Sequence, residues 1–147
     1  MALKLSTALV NALCDTAPLK TAMNLCFIDI YSGVQPANAN AAATGTRLCT
    51  ISNNSGATGL TFEAVAVDGF LEKETTETWS GTAANSGTAG WFRMRLAGDA
   101  GGLDVSTYKR VDGSIATSGG QLNAGSLTVT AGAPFVLTAG GLTLPKA

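Results

Sequence analysis

The sequence predicts a mainly β protein: an antiparallel, jelly-roll-like β-sandwich over residues 25–147, preceded by a short N-terminal helical arm over residues 1–24. Three observations predict it. Only 13% of residues are charged, against about 25% in an average soluble domain. The 18 glycines punctuate short runs rich in β-branched and aromatic residues. This gives roughly eight or more strand candidates, with a turn signal about every ten residues. Helical periodicity appears once, near the start, and does not alternate with the later strands, which excludes a βαβ architecture.

Residues 5–24 carry the helical pattern. Ser6 or Thr7 caps the first turn, and Leu5, Leu9, Ala12 and Leu13 recur at three- and four-residue spacing. Pro18 divides the segment, because it disfavours helix at Ala17 and can open the next helix itself. The second piece runs through Leu19, Ala22 and Met23, and the arm can pack on its own domain or on a neighbour. Residues 25–31 then read as a strand closed by Ser32-Gly33. Residues 34–45 form an irregular loop of Ala and Asn, long enough to be functional or held down by a partner. Residues 47–52 are a second strand, with Cys49 and Ile51 on one face.

Residues 60–67 read as a third strand ending at the Asp68-Gly69 turn. Residues 70–79 and 90–96 follow, separated by a linker at 81–89. In the latter strand Phe92, Met94 and Leu96 share one face, and Trp91, Arg93 and Arg95 the other. Asp112-Gly113 signals a hairpin between residues 107–111 and 114–117. Three more short strands are expected at 127–130, 135–137 and 142–144.

Composition also excludes function classes. A net charge of −1 without a basic stripe supplies no counterion release for nucleic-acid binding. So small a charge gives little colloidal repulsion and tolerates dense self-association. No apolar run approaches the roughly 18 residues of a membrane span, and the first apolar stretch is broken by Ser6, Thr7, Asn11 and Asp15, so no secretory signal is expected. The 3 cysteines, Cys14, Cys26 and Cys49, have no metal-ligand spacing and lie among apolar residues. They read as buried small hydrophobes in a protein folded in a reducing cytoplasm.

The chain has 0 histidines, which removes the commonest general base and metal ligand. Glu72, Glu74 and Glu77 cluster, but with Lys73 and neighbouring threonines they read as a solvated strand face rather than a catalytic carboxylate pair. Gly98–Gly102 and Ser118-Gly119-Gly120 lack the Lys-Ser/Thr pair of a phosphate loop, so turns suffice. Asp99 and Asp104 lack the close spacing of a calcium loop. No catalytic residue, metal site or cofactor is expected. The Trp91, Arg93 and Arg95 face reads first as core, buried between two sheets or with Trp91 beneath the N-terminal arm; after that it resembles the centre of a protein interface, and last a sugar platform.

At Ile30-Tyr31-Ser32-Gly33-Val34-Gln35-Pro36-Ala37, then Ala41 to Thr46 and Leu48, the chain resembles a group of small tailed-phage virion proteins. These carry an IYSG-QPA and GT-L signature after an N-terminal helical arm. Gly90-Trp91-Phe92-Arg93 matches their WFR segment, and Asp112-Gly113-Ser114 with Thr117-Ser118-Gly119 through Leu122 matches a later DGS and TSG-L piece. The pattern spans most of residues 3–144 in order. Arg47 departs from it, standing where relatives often have an apolar residue.

The resemblance implies a virion structural protein, most naturally a head decoration or cement protein bound to the capsid exterior after synthesis in the bacterial cytoplasm. Its partner is the major capsid protein, and it forms a homo-oligomer, dimer or trimer. The expected partner interface comprises Leu5, Leu9 and Leu13 of the arm, Gln35 and Pro36 of the long loop, Arg47, Trp91 and Arg93. The second reading is a tail- or fibre-associated protein, or a carbohydrate-binding module contacting the host surface.

Overall fold

The computed structural model describes residues 3–145. After a two-residue strand β1 (Lys4–Leu5), Ser6 adopts an extended backbone, and its Oγ accepts the Leu9 N–H at 3.3 Å. This opens helix α1 (Thr7–Asp15), which turns Leu9 and Ala12 inward. The same hydroxyl accepts the Arg110 N–H and donates to the Tyr108 carbonyl, both at 2.9 Å, so the cap also fixes where the helix sits. Pro18 opens the second helix α2 (Leu19–Ala22), as the sequence predicts. Leu9, Leu19, Ala22 and Met23 belong to the same core as the strands. The arm therefore packs on its own domain.

The remaining strands are β2 (Phe27–Ser32), β3 (Arg47–Asn53), β4 (Phe70–Glu72), β5 (Trp79–Thr82), β6 (Gly87–Arg95), β7 (Arg110–Ala116), β8 (Leu122–Ala124), β9 (Thr128–Val129) and β10 (Pro134–Thr143). The mainly β class holds. The pairings do not confirm the expected antiparallel sandwich. Strands pair in the order β7-β8-β10-β5-β3-β2-β6, and β6 returns to β7, closing a seven-stranded barrel. One pair, β7 with β8, is parallel. Strands β1, β9 and β4 attach to β7, β6 and β10. Closure leaves the central strands without an open edge.

Alternation sorts the wall into an inner and an outer face. Ile51, Ile28, Met94 and Val111 lie in one register row across β3, β2, β6 and β7. Cys49, Ile30, Phe92 and Gly113 form the next. The side chains of both rows are buried, and full burial of each large one is worth about 1.5–3 kcal/mol.

Gly113 shows why the expected hairpin at Asp112-Gly113 is absent. A Cβ there would lie 2.7 Å from Phe92 Cζ. The glycine makes room for the ring, and β7 runs straight through it. Gly140-Gly141 likewise continues the strand. The predicted segments at 135–137 and 142–144 fuse into β10, and a Cβ on Gly141 would meet the Leu71 carbonyl oxygen at 2.2 Å.

Two other expectations fail because side chains take the backbone groups. The stretch predicted as one strand over 70–79 is broken after Phe70–Glu72 and a bridge at Lys73, and resumes only at Trp79 in β5. In the break Lys73 Nζ donates to the Glu74 and Glu77 carbonyls, and the Glu77 carboxylate accepts from the Thr61 N–H and the Trp79 indole. Residues 60–67 form only isolated bridges, although the Asp68-Gly69 turn is present, with φ of 53° and 80°. The 81–89 linker is mostly strand, shared between β5 and β6. No helix among the described residues is long and apolar enough to cross a membrane.

Candidate interaction surface

On the outer face of β2, β6 and β7 the register places three rows side by side: Tyr31, Trp91 and Ser114; Asp29, Arg93 and Asp112; Phe27, Arg95 and Arg110. In a simple barrel this face would meet water. Here Asp29, Arg93, Arg110, Asp112 and Trp91 are all buried, because the segments 33–46 and 96–109 lie over them.

Burial requires pairing, since an isolated charge inside a protein is far costlier than a paired one. Arg93 Nε and NH2 donate to the two Asp112 carboxylate oxygens, each at 2.7 Å. Arg110 does the same to Asp99 at 2.6 Å and 2.6 Å. Arg95 reaches Asp29 at 2.6 Å and 3.1 Å, and Thr50 Oγ1 donates to the same carboxylate at 2.6 Å. Burial pushes the Asp112 carboxyl above its ordinary value, against the opposing pull of Arg93.

The guanidiniums also hold the covering segments. Arg93 NH1 donates to the Gly101 carbonyl at 3.3 Å, and Arg110 NH1 donates to the Ala39 carbonyl at 3.3 Å. Lys4 Nζ donates to the Pro36 carbonyl at 2.6 Å, while Asn40 exchanges hydrogen bonds with Thr7. The two segments bond to each other through Ala43 N–H to Gly101 O and Asp104 N–H to Asn40 O, both at 2.9 Å. The long loop is therefore held by its own chain. Its outer surface is nearly uncharged and presents Val34 at 76% exposure, with Leu103 at 77% and Val105 at 61% on the second segment.

The structure brings some of the sequence-predicted interface together and buries the rest. Leu5 lies half-buried in β1 opposite Val111; Leu9 is wholly in the core, and Leu13 packs against it. Gln35 and Pro36 are buried beneath the loop. Arg47 is exposed at the edge of this face, 3.8 Å from Asp29. Trp91 and Arg93 have no exposed surface. The Trp91 ring stacks on Tyr31 at 4.6 Å with 13° between the planes, and Arg93 lies 5.5 Å from it on the ring face. They are the floor of the surface, and Val34, Leu103 and Val105 are its outside. The sequence marks the floor by charges on strands, but only the fold shows that loops cover it.

Other polar candidates resolve into structural roles. Both Asp99 oxygens are taken by Arg110, and Oδ1 also accepts the Gly101 N–H at 2.8 Å. Asp104 accepts the Thr107 and Tyr108 N–H groups at 2.9 Å and 2.8 Å, and these bonds, Tyr108's foremost, hold its carboxyl below the ordinary value. The turn it secures is expected to persist above the ordinary value of 3.8 and loosen as pH falls through the lower folded value. Faster amide exchange at Tyr108 in acid, normalised for intrinsic rates, checks this; unchanged protection would refute it. Among the described residues no group of three or more His, Cys, Asp or Glu is placed to hold a metal ion.

Cys26 and Cys49 are buried as expected, whereas Cys14 is exposed at the outer side of α1. Burial pushes the Cys49 thiol up to about 11 and Cys26 higher still. One equivalent of thiol, Cys14, should therefore react promptly with an aromatic disulfide reagent in the native protein, and the other two only on unfolding. Prompt reaction of more than one equivalent would contradict this packing.

Comparison of the chain with protein-family models, with curated proteins and with solved structures finds no match.

Proposed function

We propose that the chain is a structural protein of a tailed-phage virion, a head decoration or cement protein that binds the major capsid protein lattice from outside. The observation that carries the reading is the loop surface. Two long segments, the first uncharged and the second with Asp104 and Lys109 as its only charges besides the buried Asp99, bear exposed Val34, Leu103 and Val105 and are clamped onto a closed barrel by buried arginines. Pre-ordered, weakly charged loops lose little entropy on docking and allow another backbone to approach closely. The signature residues Gln35 and Pro36 lie on the buried inner side of the first segment and help to seat it, and repeated copies on a lattice would add avidity to a weak single contact.

A homo-oligomer, dimer or trimer, is compatible with the same surface. The tail or fibre reading uses the same loops at low copy number. The sugar-platform version of it is disfavoured, because Trp91 has no exposed ring face to offer. A catalytic role is not proposed, since each buried carboxylate described above is paired with an arginine.

Protein composition of purified heads and separated tails tests the reading. The expected result is a head-bound protein with copy number near that of the major capsid protein. A few copies confined to tails would overturn it.

A further inference from the structure

A cement protein bridges neighbouring capsid subunits, and a second attachment point on the same body would strengthen such a bridge. Resting on the reading above, we propose that the groove beside α2 is that point and takes an extended apolar segment carrying a carboxylate from the capsid partner. The groove has a volume of about 390 Å³, shares no lining residue with the loop surface, and is walled by Leu19, Ala66, Leu71, Leu142 and Leu144.

Three observations specify the occupant. Lys20 is the one charged residue among the described lining residues, and its ammonium makes no hydrogen bond or ion pair with a described residue. Glu63 feels its charge, but that carboxylate is held by the Thr75 N–H at 2.8 Å and hydroxyl at 2.7 Å. An anion on the partner is thus the complementary group. Val65 and Val67 flank the groove, 72% and 70% exposed. A small amphiphile filling the groove would leave them in water, whereas a polypeptide segment covers them as well. Val65 and Ala66 make no backbone–backbone hydrogen bond with a described residue, so an extended neighbour can pair with them while its side chains enter the groove.

The test uses heads of the encoding phage assembled without the chain, and three full-length proteins: wild type, Ala66→Trp and Lys20→Glu. Position 66 is exposed, so the tryptophan fills the groove from outside, and thermal melts check each fold. Wild type should sediment with the heads, and each variant should bind about tenfold or more weakly. Loss of salt dependence in Lys20→Glu would support the carboxylate. Wild-type affinity in both folded variants overturns the groove and leaves the decoration reading standing. No binding by wild type overturns both. If Ala66→Trp instead abolishes a dimer in free solution while head binding is unchanged, a second copy fills the groove and the proposal fails.

Discussion

Methionine in place of Arg93 is expected to lower the unfolding free energy by about 3–5 kcal/mol, the usual consequence of stranding one half of a buried ion pair. Both partners are inaccessible, and their bidentate bond joins β6 to β7 across the barrel wall. Asp112 lies mid-strand and cannot swing to water. Against a typical total of about 5–15 kcal/mol, this loss would put a marginal domain near unfolding at 37 °C. Replacing both residues, as Arg93→Met with Asp112→Leu, should recover most of it, because apolar side chains of similar volume remove the desolvation cost along with the attraction. Urea denaturation of the two variants with unchanged slope would check both values.

The pH dependence supplies a second, independent sign. Burial already pushes the Asp112 carboxyl above its ordinary 3.8 in the intact pair. Without Arg93 the shift grows, and the folded state binds a proton more readily than the unfolded one. The deficit should thus be largest at neutral pH and shrink as pH falls through the raised folded value toward 3.8. A single variant within about 1 kcal/mol of wild type, with no such trend, would mean the pair adds little beyond packing.

How legible this arrangement was in the sequence differs element by element. The arm was readable because its signals are local: a serine cap, leucines at helical spacing and a proline break. Strands β2, β3 and the end of β6 were readable from alternation. Asp112-Gly113 misled because the same dipeptide suits a tight turn and a strand crossing above an aromatic ring, and only Phe92, 21 positions away in β6 by residue number, decides between them. The threonines at 75, 76 and 78 favour a strand intrinsically, yet the Glu63 and Glu74 carboxylates offered the backbone of Thr75 and Thr76 a competing partner. Barrel closure also depends on β10 meeting β5 and β2 meeting β6, pairings between residues more than 50 positions apart that no short window of sequence contains. Alternation placed Arg93 opposite Phe92 correctly, but whether that side meets water depends on where residues 33–46 and 96–109 settle.

Arg110 differs from Arg93 in what it joins, and its substitution should differ in kind. Its partner Asp99 belongs to a covering segment, and its third nitrogen donates to Ala39 and Asn40 of the other, at 3.3 Å and 3.5 Å. With Arg110→Met the Asp99 segment can lift and rehydrate its carboxylate, so the expected loss is local, about 1–3 kcal/mol of loop ordering rather than global stability. In hydrogen exchange the amides of Ala43, Gly101 and Asp104 should lose about 10–100-fold protection, while those of β2 and β3 change little. Affinity for decoration-free heads should fall with them, because loops that must be ordered on binding oppose association by the same free energy. Equal loss of protection across the barrel would show that the clamp is part of the global fold. Local loosening with unchanged head binding would show instead that the loops are not where the capsid is gripped, and would shift the contact to the groove beside α2.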